Sequence, residues 1–448
     1  MAHAMRGQYQ EIPKMNTRKF VLSGTFVAML TLSTAPIACA QTDNGDAEAY
    51  PELITLTPVQ TREFVTSSRP NVVEFVRDTV SGHPAMQAAQ AAVEAEKARA
   101  RGMGRKLYNP NLEVDLETAE VETATIGLSQ TIDRHGKRQV LQEAGRDNVF
   151  AAQAALELVE KTLQAELLQA LAAYQVNHDM VTLAQRKTAF SRDFLRLAER
   201  RKAAGDLSAS EVLTAQLSLA GSLADLARAR SEQSRSVQAL NTLSGASLTD
   251  WPLLSGTPSG SRALNGMPNP QNLPEIRLAS ARSKAFRSRI AVAKKMRKTD
   301  PTVGGRLGLE GSNVLFGISL AIPLQINNKY MDSIDVAKAE SLEAQAGLAR
   351  IRRQTIARLR GSERRFAQAE QAWADWQGSG ALQLDIQRSL LKRLWEAGEL
   401  NAVNYLIQFD QTFDAETASA QLKAALWRSW FEHLDASNSI PKWLETVQ

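Results

Sequence analysis

Two rhythms of apolar residues run along the chain, and each occurs twice. The first is a three-and-four step. Leu156, Val159, Leu163, Leu167, Ala170 and Tyr174 follow it and fall on one face of an α-helix. Between Gln139 and Ala204 there is no proline and a single glycine, Gly145, so the spacing predicts one helix of about 65 residues, about 100 Å long at ~1.5 Å per residue. A second helix of this kind is predicted from Met331, with breaks at Gly361 and at Gln377-Gly378-Ser379-Gly380. A shorter helix follows the first, with Leu213, Leu217, Ala220, Ala224 and Ala227 in the 4-3-4-3 spacing of a coiled-coil seam.

The second rhythm has period two. Apolar and acidic residues alternate through Leu112-Glu113-Val114-Asp115-Leu116-Glu117, and Ile126, Leu128 and Ile132 alternate with Gly127, Ser129 and Thr131. In the second half Val303, Leu307 and Leu309 share one face, as do Phe316, Ile318, Leu320 and Ile322. These are four strands with one apolar face. A half-buried soluble sheet and a membrane barrel with lipid outside both satisfy the pattern. The acidic face of Glu113, Asp115 and Glu117 is then either a solvated face or a polar pore wall.

The landmarks repeat in order. Pro84 matches Pro274, each opening a helix, and Pro110 matches Pro301, each expected to end one. Gly127 matches Gly317 and Gly205 matches Gly398, with the offset staying between 190 and 193 residues. The chain is therefore read as a duplication, helix, β-hairpin, very long helix, turn, helix. The expected boundaries are a signal and upstream extension over 1–40, a linker over 41–70, a first repeat over 71–243, a Gly/Ser/Pro-rich linker over 244–273, a second repeat over 274–438 and a tail over 439–448.

Composition removes several classes of function. The 448 residues are 44% hydrophobic and 23% charged, with a net charge of +5 and both signs interspersed, which leaves no basic arm for nucleic acid. The stretch from Met15 has a basic start at Arg18 and Lys19, an apolar core over Phe20–Leu32 and an Ala38-Cys39-Ala40 cleavage pattern, the order of a secretory signal. Cleavage after Ala40 removes Cys39, the only cysteine; cleavage before it would expose Cys39 for lipidation, although Pro36 departs from the usual motif. The scattered histidines, His83 at a cap and His135 at an expected exposed junction among them, form no metal-ligand pair. Nucleotide-binding and nucleophile motifs are also missing. No enzyme, cofactor or metal site is expected.

Two turns remain, Ala204-Gly205-Asp206-Leu207-Ser208 and Ala397-Gly398-Glu399-Leu400-Asn401. Glycine suits the left-handed residue that ends a helix, and Ser208 or Asn401 suits the cap of the next one. A plain helical hairpin turn would look the same.

These turns, with the strings that follow them and with Gln130-Thr131-Ile132-Asp133-Arg134-His135-Gly136-Lys137-Arg138, resemble the TolC-type outer-membrane efflux proteins over residues 72–440. The Gly-Lys-Arg string resembles their cobalt-zinc-cadmium branch. The resemblance implies a mainly α fold with a small membrane β-barrel part. A homotrimer would supply the twelve strands that four cannot, and the long helices would form a coiled-coil periplasmic tunnel. It implies an exit duct that carries no catalysis, working with a periplasmic adaptor, an inner-membrane efflux pump and outer-membrane lipid. Gly205, Asp206, Leu207 and Ser208, with Gly398, Glu399, Leu400 and Asn401, would be the adaptor-docking tips. Glu211, Asn404 and Asp410 are the candidate gate, with Asn404 standing where some members carry an aspartate. The rival reading is a periplasmic coiled-coil adaptor or scaffold.

Overall fold

The computed structural model describes residues 71–118, 122–246, 251–258 and 268–446. The expected signal, Cys39 and the 41–70 linker lie outside the described residues. The order is α1 (Val72–Gly82), α2 (Pro84–Met103), β1 (Asn111–Thr118), β2 (Glu122–Thr131), α3 (Lys137–Ala203), α4 (Ala209–Ser244), α5 (Pro274–Met296), β3 (Thr302–Glu310), β4 (Asn313–Ala321), α6 (Met331–Glu396), α7 (Ala402–Ser437) and α8 (Ile440–Thr446). The sequence α2-β1-β2-α3-α4 is repeated as α5-β3-β4-α6-α7.

Several expectations need correction. Pro110 and Pro301 do not end helices: α2 stops at Met103 and α5 at Met296, and each proline stands directly before a strand, where its fixed φ and missing donor do no harm. The breaks expected at Gly361 and Gly378–Gly380 do not occur, because α6 runs unbroken through them. A glycine costs a helix only about 1 kcal/mol, and at Gly380 the missing side chain makes room, since a Cβ there would stand 2.6 Å from Trp376 Cε3.

The helix α1 was not separately anticipated. It brings Phe75 and Val76 onto Leu167, Leu168 and Leu171 of α3, with Trp251 from the inter-repeat segment and Trp430, Phe431 and Leu434 of α7 in the same core. The rings of Phe75 and Trp251 meet edge to face at 5.6 Å. Beside this core, Lys161, 4% exposed, ties four helices together. Its Nζ lies 2.5 Å from Glu275 Oε1 on α5 and 3.6 Å from Asp435 Oδ1 on α7, and Arg358 of α6 pairs with both carboxylates. Burial pulls the Lys161 ammonium below its ordinary range, with Glu275 opposing the shift.

The α3 face read from the sequence is the packed one. The α4 seam is not. Val212, Ala215, Ser222 and Leu226 are buried and lie with α3 residues Phe194, Ala198, Val181 and Ala184. The stripe of Leu213, Leu217, Ala220, Ala224 and Ala227 is exposed instead. The helix thus carries two seams, and the described residues fill only one. The four strands form one antiparallel sheet in the order β1-β2-β3-β4, leaving β1 and β4 as free edges.

Candidate functional site

The sheet is inside out. Register aligns Leu112 with Leu128, Val114 with Ile126, Ile126 with Leu307 and Leu307 with Phe316, so the apolar side chains of all four strands form one continuous face. That face is open: its large side chains range from 41% exposed at Val303 to 78% at Leu116. On β2 the buried residues are Thr125, Gly127 and Ser129, those of the other face. The glycines show how differently the two faces are filled. A Cβ at Gly304, on the polar face, would stand 2.6 Å from Ser319 Oγ, whereas one at Gly305, on the apolar face, would meet nothing within 4 Å. Polar side chains are crowded together on one face and apolar ones stand open on the other. A large exposed apolar surface of this kind needs a nonaqueous neighbour.

Below the sheet, β2 enters α3 through Ile132–Gly136. Asp133 accepts from the backbone N–H of Lys137 at 2.8 Å and of Arg138 at 2.9 Å; burial opposes its ionisation, but those donors hold its carboxyl low. His135 is not exposed as expected: it is half-buried, with Nδ1 3.2 Å from Asp300 Oδ1. The Asp300 side chain is 1% exposed and also lies 3.0 Å from Lys137 Nζ, while Tyr108 Oη donates to it at 2.9 Å. Burial alone would push the Asp300 carboxyl up, yet Lys137, His135 and Tyr108 together hold it below the usual range. Lys137 is raised because Asp300 outweighs its burial.

At the far end of the long helices the two turns lie side by side. Leu207 and Leu400 both pack on one cluster containing Phe194, Val212, Trp395, Tyr405 and Leu406. Gly205 has φ +89° and Gly398 φ +75°. The N–H of Asp206 donates to Arg201 O at 2.9 Å and that of Glu399 to Leu394 O at 3.0 Å, closing both helices in the glycine-terminated manner. Asp206, Ser208, Glu399 and Asn401 are exposed.

The gate candidates are not brought together. Glu211 is occupied as a helix cap: its Oε2 accepts from Ser208 N–H at 2.9 Å and Ser208 Oγ at 2.8 Å. The backbone donor first, and then the hydroxyl, lower its carboxyl pKa. Asn404 donates its backbone N–H to Asn401 Oδ1 at 2.7 Å and its side chain is exposed. Asp410 lies further up α7, 3.7 Å from Lys187 Nζ, which also stands 3.6 Å from Asp225. Burial raises the Asp410 carboxyl and Lys187 opposes the rise. Sequence reasoning missed Lys187, Asp225 and the neighbouring pairs of Glu416 with Arg186 and Arg388, because ion pairs joining separate helices leave no local pattern. It also missed Phe190, whose ring stacks on Phe409 at 3.6 Å. Among the described residues no group of three or more His, Cys, Asp or Glu side chains could hold a metal ion, and no helix is long and apolar enough to cross a membrane.

Comparison with known proteins agrees with this geometry. Residues 76–246 match the family model described as outer membrane efflux protein. The chain is 27% identical over 324 residues to a nickel-cobalt-cadmium resistance protein of Alcaligenes xylosoxydans xylosoxydans, covering 69% of this chain and 73% of that one. It is 24% identical over 340 residues to a cobalt-zinc-cadmium resistance protein of Cupriavidus metallidurans, covering 73% and 77%. Among solved structures, CusC superposes with a TM-score of 0.68 at 15% identity, covering 87% of this chain and 98% of that one; this likeness is one of fold. An exposed apolar sheet carried on paired long helices, a family model matched over residues 76–246 and these relatives point the same way: the chain is similar to the outer membrane efflux proteins.

Proposed function

We propose that this chain is the outer-membrane exit duct of a tripartite system that expels divalent heavy-metal cations. The observation that carries the duct is the exposed apolar face on a sheet with two free edges. Four strands cannot close, whereas three copies give twelve, a permitted barrel. The unfilled seam of Leu213, Leu217, Ala220, Ala224 and Ala227 supports the same assembly, since it offers each copy a helical face for the next. The names of the two resistance relatives supply the metal cations as cargo. The exposed turns around Gly205–Ser208 and Gly398–Asn401 would receive the adaptor, and the pump would supply both energy and selectivity of loading. An adaptor or scaffold would have no reason to expose so broad an apolar sheet.

The test is fractionation with sizing in detergent, joined to metal tolerance of a strain lacking the gene. A heat-modifiable trimer in the outer membrane and a lowered tolerance to nickel, cobalt, zinc or cadmium are expected. A soluble periplasmic monomer would sink the proposal. Reversing Asp206 and Glu399 together should abolish crosslinking to the adaptor while the trimer persists; unchanged crosslinking would remove the tips from the docking surface.

A further inference from the structure

The duplication inverts a charge inside the barrel. In the first hairpin Glu113 of β1 stands opposite Gly127 of β2; in the second, Arg306 of β3 stands opposite Gly317 of β4. Gly127 and Gly317 are equivalent positions of the two repeats, so the acid and the base are equivalent too. All four residues fall in one row of the sheet, because Gly127 also pairs with Arg306. They lie on the polar face.

The glycines are what allow the charged side chains to occupy that wall. A Cβ at Gly317 would stand 2.7 Å from Arg306 Nε, and one at Gly127 would stand 3.5 Å from Arg306 Cβ and 3.7 Å from Glu113 Cβ. Arg306 therefore lies across the space left by Gly317, and Glu113 and Arg306 flank Gly127. Glu113 is steadied by the Ser129 hydroxyl at 3.0 Å. Toward the hairpin tips the same face carries charge of one sign: Asp115 one row up, then Glu117 and Glu310 joined through Thr123.

We infer that Glu113 and Arg306 form an alternating belt of acid and base around the barrel lumen and that this belt sets the charge selectivity of the duct. The inference rests on the trimeric duct proposed above. In three copies the wall reads acid, glycine, base, glycine, repeated three times. Successive charges are two strands apart, about 10 Å at ~4.8 Å per strand, close to the screening length of about 8 Å in physiological salt. A passing cation meets the glutamates and a passing anion the arginines, so the belt is neutral in sum. The acidic vestibule above it is not. Arg306 is thus the residue that keeps the whole barrel from being a uniformly negative tube.

The experiment is single-channel recording of the purified full-length trimer in planar bilayers under a potassium chloride gradient. Arg306→Gln should raise the ratio of potassium to chloride permeability severalfold, and Glu113→Gln should lower it. The exchange Glu113→Arg with Arg306→Glu keeps the alternation and should return the ratio to within twofold of the wild type. Conducting trimers whose ratio is unmoved by either single variant would overturn the belt while leaving the duct standing. A wild-type chain that forms no conducting trimer would overturn the duct and the belt with it. Where a glutamine variant assembles poorly, Arg306→Lys provides the control: it keeps the charge and should keep the wild-type ratio.

Discussion

The two strand-to-helix junctions occupy equivalent places in the repeats and are built of different chemistry. Between β2 and α3 the link is Ile132–Gly136, short and polar, and it is pinned by Asp133, by the Asp300 cluster and by Lys295, whose Nζ reaches His135 O at 2.8 Å. Between β4 and α6 the link is Ile322–Tyr330, longer and largely apolar in its first half, with Leu324 and Ile326 76% and 77% exposed. Gln325 ties it to Arg297 O, and Tyr330 ends it at φ +50°. Asp300 and Lys295 come from the α5–β3 connection and the last turn of α5 in the same chain. The second junction follows the edge strand β4, so in the proposed trimer its outer side would face the next copy. Charged groups are buried where both partners belong to one chain, and apolar ones are left open beside the free edge.

The largest effect is expected at the first junction. Asp300→Ala would leave Lys137 buried without its carboxylate, and removing one member of a buried pair costs about 3–5 kcal/mol. Thermal unfolding of the detergent-solubilised protein should show it. Replacing both partners, Asp300→Leu with Lys137→Met, should recover most of the loss; if the double variant is no better than the single one, the cluster is not acting as a pair. The pH dependence has a fixed sign. Asp300, held low in the fold, contributes stability above the unfolded carboxylate value of about 3.9 and loses it as pH falls through its folded value. Lys137, held high, contributes fully below about 10.4 and loses it as pH rises through its folded value. Leu324 and Ile326 contribute no titrating group, so this pH profile belongs to the first junction.

A smaller and different effect is expected at the second. Leu324→Ser with Ile326→Ser should leave the folded chain intact and lower the temperature at which trimers dissociate on semi-native gels. A buried leucine or isoleucine side chain is worth about 2 kcal/mol, lost once per copy for each position. An unchanged dissociation temperature would assign these side chains to lipid rather than to the next copy.

Much of this comparison was legible in the residues and part was not. Period two located the strands because every other side chain of Leu112–Glu117 or Phe316–Ile322 had to face one way. The glycine turns were legible because Gly205 and Gly398 need positive φ, a local demand. The Asp300 cluster was hidden because Tyr108, His135 and Lys137 meet a residue more than 160 positions away, and the pairing of Lys161 with Glu275, across 114 positions, was hidden in the same way. The continuity of α6 was misread for the opposite reason. Glycine propensity is local and weak, and packing over the whole helix outweighs it. In α4 the sequence held two apolar seams, and spacing alone could not say which one α3 would take.

The smallest effects fall at the tips, where they separate a capping role from a gating one. Ser208 and Glu211 cap α4 reciprocally, whereas Asn401 caps α7 through its side chain alone. Ser208→Ala should cost about 1 kcal/mol and speed amide exchange in the first turn of α4. Asn401→Ala should do the same in α7, without a second contact to lose. Glu211→Gln is the informative change. A glutamine can still accept from the Ser208 N–H, so a residue that only caps should tolerate it, with exchange in α4 and channel conductance both unchanged. A gating carboxylate would not: losing its charge at the tip would shift conductance or its blockade by divalent cations while the helix stayed capped. Since both bonds from Ser208 already converge on Glu211 Oε2, the capping outcome is expected.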